Sequence, residues 1–193
     1  MNFLGHFYLS YPDKNLLLGN FIADDIKGKA YQEYPPEIAR GILMHRTIDD
    51  LTDHHPSSKV CLDMIRPATG KFAGVALDIL YDYQIAKNWS KYSDVSLKKF
   101  SEEVYTTLYG MREYFTERSS KIFQYMSGDN WLLQYATREG IQTVLTNMGR
   151  RIKHDNNLGK VMPEFEKIES AFGKQFEIFF AELQKEIKKK YPE

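Results

Sequence analysis

Apolar residues recur along this chain at the three- and four-residue spacing of amphipathic helices, and no stretch alternates apolar and polar residues over the length of a strand. Short breaks containing Pro, Gly or Asp interrupt the pattern, as at Tyr11-Pro12-Asp13 and Ser93-Asp94. This pattern predicts an all-α protein, a single-domain helical bundle over residues 1–193. The predicted helices cover residues 2–10, 15–26, 35–53, a segment that starts at Pro56, 70–89, 97–117, 121–126, 131–135, 140–153 and 163–190.

Composition limits the classes of binding partner and the cellular compartment that we expect. Basic and acidic residues balance at 26 each, so nothing global favours nucleic acid or a membrane surface. The single cysteine, Cys61, has no internal disulfide partner, and the first residues lack the basic and apolar regions of a secretion signal. We expect a cytoplasmic, soluble protein, and composition predicts no oligomeric state.

Two predicted helices carry polar residues at a spacing that places them on one face. His45, Asp49 and Asp53 are each four residues apart, and so are Asp78 and Asp82. The segment that contains Asp78 and Asp82 is otherwise strongly apolar, and buried charges must be paired or bound to metal. These aspartates therefore either accept hydrogen bonds from arginines and tyrosines inside the bundle or bind a cation.

A histidine among carboxylates favours the cation. Imidazole with carboxylates is the ligand set of zinc, manganese or iron rather than of calcium, and magnesium can bind there with waters. The first two helices add His6, which is a packing residue or a ligand, and Asn20 and Asp24, again four residues apart. Asp25 is predicted to face solvent.

Several blocks of sequence carry a resemblance to a known family. They are MNFLGHFYLS, LLGNFIADDIKGK, GILMHRTIDDLTDHHP, GVALDILYDYQIAKNW and WLLQYATREGIQTVLTNMGRR. In order and spacing they resemble the acyl carrier protein phosphodiesterases, which themselves resemble the HD-domain metallohydrolases. The resemblance covers nearly the whole chain.

This resemblance implies a fold, a cofactor and a reaction. The fold would be HD-domain-like, the cofactor a divalent metal such as Mn²⁺ or Mg²⁺, and the reaction the hydrolysis of 4′-phosphopantetheine from the serine of holo acyl carrier protein. The HD pattern maps onto His6, Ala23-Asp24 and Asp78. Ala23 stands where the histidine of the pair is expected, so His45 or Asp49 would have to complete the coordination.

The resulting hypothesis gives each polar residue a role. His6, Asp24, His45 and Asp78 bind the metal, which lowers the pKa of an attacking water. Asp49 or Asp82 completes the coordination, orients a ligand or accepts the proton of the water. Catalytic roles are thus predicted for Asp24, Asp49, Asp82 and Arg46, and phosphate binding for Lys27, Arg46, Arg150 and Arg151.

Other interpretations of the cationic and aromatic residues stay open. Arg46 could instead pair with Asp49 or Asp50, and Arg150 and Arg151 could be simple surface charges. Arg40, Lys27 and Lys29 could line a basic groove for the acidic carrier protein. Trp131 is predicted to be a core residue rather than a contact of the pantetheine arm.

Two other functions are alternatives to the hydrolysis of 4′-phosphopantetheine from the carrier protein. One is an HD-like phosphohydrolase of a nucleotide or another small phosphoester at the same metal site. The other is a non-catalytic helical module that binds the carrier, which the missing HD histidine motivates.

Overall fold

The computed structural model describes residues 1–192, and all regular structure within them is helical, which confirms the all-α class. The α-helices are α1 (Phe3–Ser10), α2 (Lys14–Ile22), α3 (Pro36–His54), α4 (Pro56–Thr69), α5 (Ala73–Lys87), α6 (Leu97–Gly110), α7 (Glu117–Gly128), α8 (Trp131–Gln134), α9 (Arg138–Arg151) and α10 (Met162–Lys190).

Local capping residues explain where several helices begin. The Asp13 carboxylate accepts hydrogen bonds from the backbone N–H groups of Asn15 and Leu16 at the start of α2. Pro36 and Pro56 are the first residues of α3 and α4, as predicted. The boundaries of these helices therefore follow from short-range chemistry.

Two predicted helices extend well past the residues at which the structure ends them. The helix predicted over residues 97–117 ends at Gly110, and a separate helix, α7, begins at Glu117, where Thr116 and Ser119 form a capping box. The helix predicted over residues 15–26 ends at Ile22 and continues as a 3-10 turn over Ala23–Asp25. That turn carries Asp24 to the side of α3.

The core is built around α5 and α10. Tyr81 on α5 is fully buried, and its ring centroid lies 5.0 Å from that of Phe179 and 5.1 Å from that of Phe176. Each buried aromatic side chain of this kind contributes roughly 1.5–3 kcal/mol through the hydrophobic effect. This aromatic packing holds α5, and with it Asp78 and Asp82, in a fixed position.

Helices α2 and α3 approach each other closely at a pair of glycines. A Cβ atom on Gly19 would lie 2.3 Å from the carbonyl oxygen of Ile38, and one on Gly41 would lie 2.7 Å from that of Leu16. Only glycine leaves room for this contact. It sets the distance between the end of α2, where Asp24 follows, and His45 on α3.

None of the helices formed by residues 1–192 combines the length and the apolar character needed to cross a bilayer.

We predict that Gly19→Ala destabilises the fold, because its methyl group would overlap backbone atoms that cannot move aside independently. The free energy of unfolding should fall by about 1–3 kcal/mol or more, as measured by chemical denaturation. Gly74→Ala is the matched control, since Gly74 lies exposed in α5 with open space around it. It should be neutral or stabilise by up to about 1 kcal/mol. Equal effects of the two substitutions would contradict the account of this contact.

Candidate active site

Two histidines and an aspartate from α1 and α3 converge on one point. The Asp49 carboxylate bridges the two imidazoles at their Nε2 atoms, with one oxygen 3.2 Å from His6 Nε2 and the other 3.1 Å from His45 Nε2. The two imidazole rings are stacked, with their centroids 4.1 Å apart. One potential ligand atom from each of these three residues lies within 4.8 Å of the other two.

A chain of hydrogen bonds determines which nitrogen of His6 carries the proton. The Asn20 amide nitrogen donates to the Ser10 hydroxyl, which donates to the His6 carbonyl oxygen. The Asn20 amide oxygen must then face His6 Nδ1, 2.9 Å away, and it accepts a proton from that nitrogen. His6 is therefore held with Nδ1 protonated and Nε2 pointing to Asp49.

This tautomer makes the centre of the cluster rich in electrons. Burial lowers the pKa of His6, as does the neighbouring His45, so the imidazole is neutral. Its Nε2 lone pair then faces the carboxylate oxygen of Asp49 and, at 3.2 Å, the carbonyl oxygen of Met1. Three lone pairs directed at one another repel unless a positive charge lies close to them.

His45 completes the cluster from α3. Its Nε2 lies 3.4 Å from an oxygen of Asp24 as well as next to Asp49. Burial opposes the charged imidazolium, but hydrogen bonds with Asp24 and Asp49 outweigh it and raise the pKa of His45 to about 9. The hydrogen bonds with His45 in turn lower the pKa of Asp24. The buried Nδ1 of His45 has no hydrogen-bond partner within residues 1–192.

Asp78 joins the cluster through a positive charge. The α-ammonium group of Met1 lies 3.0 Å from an oxygen of Asp78 and 4.0 Å from one of Asp49. Burial disfavours this ammonium, but Asp78 and Asp49 favour it more strongly, and its pKa is raised. A cationic group thus already fits between these two carboxylates, which lie 41% and 43% exposed.

Asp82 lies below the cluster, fully buried, rather than within it. Its two oxygens accept hydrogen bonds from the backbone N–H groups of Leu4 (2.7 Å) and Gly5 (3.1 Å), at the start of α1. Burial raises the pKa of Asp82 to about 7. Its oxygens are aimed at the helix start, so the geometry favours an anchoring role, and the catalytic role predicted for it stays a prediction.

Arg46 also points away from the cluster. Its guanidinium donates to the carbonyl oxygens of Ile26 and Gly28, each at 2.8 Å, and lies over the ring of Tyr31. Among the described residues it forms no ion pair with Asp49 or Asp50. The guanidinium therefore holds the loop after Asp24 against α3, and its phosphate contact stays a prediction.

The other predicted cations are distributed around the molecule. Lys27 donates to the backbone carbonyl of Asp24, and the Arg151 guanidinium lies 5.4 Å from the ring centroid of Trp131. Arg150 is exposed near the end of α9, and Lys29 is exposed on the loop before α3. Arg40 donates to the carbonyl oxygen of Pro192, next to the chain end. Lys27 thus contacts Asp24, and Arg151 lines the same cavity as Asp24.

The prediction that Asp25 faces solvent was wrong. Its side chain is only 9% exposed, and it pairs with Arg118 at 2.8 Å and accepts a hydrogen bond from the Thr116 hydroxyl. Arg118 lies 93 residues away in the sequence, so no local spacing signals this contact. The ion pair fastens α7 to the turn that carries Asp24.

A histidine pair with three neighbouring carboxylates on an all-helical scaffold makes the protein a candidate hydrolase. The family model described as acyl carrier protein phosphodiesterase matches residues 1–183. The chain belongs to this family and is therefore an enzyme, a phosphodiesterase.

Individual relatives agree with the family model. The acyl carrier protein phosphodiesterase of Salmonella paratyphi A is 32% identical over 152 residues, and that of Escherichia coli O6:H1 is 33% identical over 156 residues. Each alignment covers 78% of this chain and 79% of the relative. No solved structure matches the chain, so the HD-like arrangement stays a prediction.

We predict that His45 titrates unusually high in chelator-treated protein. NMR of its imidazole should give a pKa of about 9, against an ordinary 6.5, and Asp24→Asn should lower that value. Because the pKa is raised on folding, protonated His45 stabilises the fold fully below pH 6.5, and this contribution is lost as the pH rises through 9. Asp50→Asn, on the same helix but paired with His54, is the control. A His45 pKa near 6.5, or one that Asp24→Asn leaves unchanged, would refute the pairing.

Proposed function

We propose that this enzyme binds a divalent metal ion and removes 4′-phosphopantetheine from the serine of holo acyl carrier protein. The relatives are named for phosphodiesterase action on that protein. The observation that carries the metal is the convergence of His6 Nε2, His45 Nε2 and the Asp49 carboxylate on one point.

The donor set suits the metals expected from the resemblance. Two imidazole nitrogens and several carboxylate oxygens fit Mn²⁺, and Mg²⁺ with additional waters, better than Ca²⁺. His6, His45 and Asp49 would bind the ion, with Asp24 and Asp78 at its edge. The Asn20 side chain supports this arrangement, because fixing the Nδ1 proton of a ligand histidine is how a second layer of residues orients metal ligands.

The reaction is a hydrolysis at phosphorus. The water oxygen bonds to phosphorus, the bond between phosphorus and the serine oxygen breaks, and the serine oxygen ends with the proton that the water lost. A divalent ion held by His6, His45 and Asp49 would supply positive charge that acidifies water and offsets the charge on the phosphoryl oxygens. The products are the apo carrier and 4′-phosphopantetheine.

Four residues of the chain have further roles in the proposed reaction. Asp24, whose side chain is 60% exposed, accepts a hydrogen bond from the incoming water. Asp49 keeps both imidazoles aligned, and Asp82 keeps the start of α1 in place so that His6 stays in register. Lys27 lies beside Asp24, where it attracts the acidic carrier.

We also propose a cytoplasmic location. Cys61 is a buried free thiol, which suits a reducing compartment.

We predict that Asp24→Ala and Asp78→Ala each lower the release of phosphopantetheine from holo carrier by about 100-fold or more. Loss of groups that merely orient metal ligands already costs about 10–100-fold. Release is measured by chromatography of the reaction mixture with Mn²⁺ present. Asp50→Ala, exposed on α3, is the control and should keep the activity. Undiminished turnover in both site variants would refute the assignment of these residues.

A substrate panel separates the proposed reaction from its rival. Holo carrier should be hydrolysed with a higher kcat/KM than nucleotide diesters and other small phosphoesters. Faster hydrolysis of a small phosphoester would assign the site to that substrate class instead.

We predict that Mn²⁺ binds without any substrate and stabilises the fold. After chelation, adding Mn²⁺ at 100 times its Kd should raise the free energy of unfolding by about 2.7 kcal/mol, seen as a higher Tm. Asp49→Ala should abolish this shift, because it removes the carboxylate that contacts Nε2 of both histidines, whereas Asp50→Ala should preserve it. An equal shift in Asp49→Ala would place the ion elsewhere.

A further inference from the structure

A cavity of about 400 Å³ opens beside Asp24, between the start of α1 and helices α7, α8 and α9. Its volume falls within the range of roughly 300–1,000 Å³ that is typical of small-molecule sites. Because Asp24 contributes to its lining and also pairs with His45, the cavity borders the candidate metal centre at Asp24.

The lining combines apolar walls with hydrogen-bonding groups. Phe3, Ile122, Trp131, Val144 and Met148 supply the apolar surface. Gln134 and Asn147 add amides to the same lining, and Arg151 adds a guanidinium that lies over the Trp131 ring. Within residues 1–192 no carboxylate forms an ion pair with Arg151, so its donors are free for a ligand. The prediction that Trp131 is a core residue is therefore incomplete, since this partly buried side chain packs against the core and also lines the cavity.

A second depression meets the first at Asp24 and Arg118. It is more open and is lined by Lys27, Glu117 and Lys121 among others. Two recesses, one more enclosed than the other, thus meet at the carboxylate of Asp24, next to the candidate metal centre.

The proposed substrate has two parts, one for each of these recesses. A phosphodiester in holo carrier joins a folded protein to a thin flexible arm, and phosphorus must lie near Asp24. A folded protein is too large for a cavity of about 400 Å³, so it has to approach from the more open recess. The arm carries a dimethyl group and two amides, which need apolar contacts and hydrogen-bonding partners, and the enclosed cavity offers both.

We infer that the cavity between α1, α7, α8 and α9 receives the pantetheine arm, with Trp131 and Val144 against its apolar part and Arg151 near its amide carbonyls. This inference rests on the proposed function for the identity of the substrate. Under this inference, residues of α8 and α9 outside the candidate metal centre determine which substrate arm the enzyme binds.

The test blocks the cavity and measures binding without catalysis. Free pantetheine, which has no phosphate, is titrated into the metal-loaded enzyme by ligand-observed NMR. Val144→Phe should weaken its binding by about 10-fold or more, because added side-chain volume in a pocket has effects of this size. Val60→Phe makes the same change on the exposed face of α4 and should leave the Kd unchanged. Val144→Phe should also raise the KM for holo carrier more than it lowers kcat.

Each result bears on a separate claim. Pantetheine that fails to bind the unaltered enzyme, or that binds Val144→Phe equally well, overturns the inference. If circular dichroism shows that Val144→Phe does not fold, Trp131→Ala at its half-buried position takes its place, with the same expected loss. Hydrolysis of holo carrier together with equal pantetheine affinities refutes the arm site and leaves the function standing. Pantetheine binding without any hydrolysis of holo carrier refutes the function and leaves the arm site standing.

Discussion

The bridge that the Asp49 carboxylate makes between the Nε2 atoms of two stacked histidines is the interaction on which the site depends. One of the carboxylate oxygens faces His6 from α1 and the other faces His45 from its own helix. Both imidazoles therefore direct Nε2 to the same place, and the lone pair of His6 meets oxygens instead of a hydrogen-bond donor. This arrangement is unfavourable unless positive charge lies within it, either as protons on the histidines or as a metal ion.

The scaffold holds this arrangement with contacts that never touch a substrate. Asp82 fixes the start of α1 through two backbone N–H groups, and the glycine contact between α2 and α3 sets where Asp24 meets His45. The Asp25–Arg118 ion pair then ties α7 to the same turn. Helix α7 forms one wall of the cavity beside Asp24. The same contacts therefore hold both the candidate metal centre and the cavity in place.

Sequence reasoning reached the helical class and most of the cluster, because helix periodicity and i, i+4 spacing are local properties. His45 and Asp49 are examples, since they lie one turn apart on a single helix. It could not assign Asp82 to the start of α1, or Arg46 to the carbonyls of Ile26 and Gly28, because those partners follow from packing. Asn20 shows the same limit: its spacing links it to Asp24, but in the fold its amide holds His6.

Pulsed electron paramagnetic resonance of the Mn²⁺-loaded enzyme tests the central claim most directly, since it detects imidazole nitrogen bound to the ion without requiring turnover. The account predicts nitrogen couplings from two imidazoles, reduced to one in His45→Ala, and unchanged in His54→Ala, whose imidazole is exposed on the far end of α3. A spectrum without imidazole nitrogen couplings, or one that His45→Ala leaves unaltered, would contradict it.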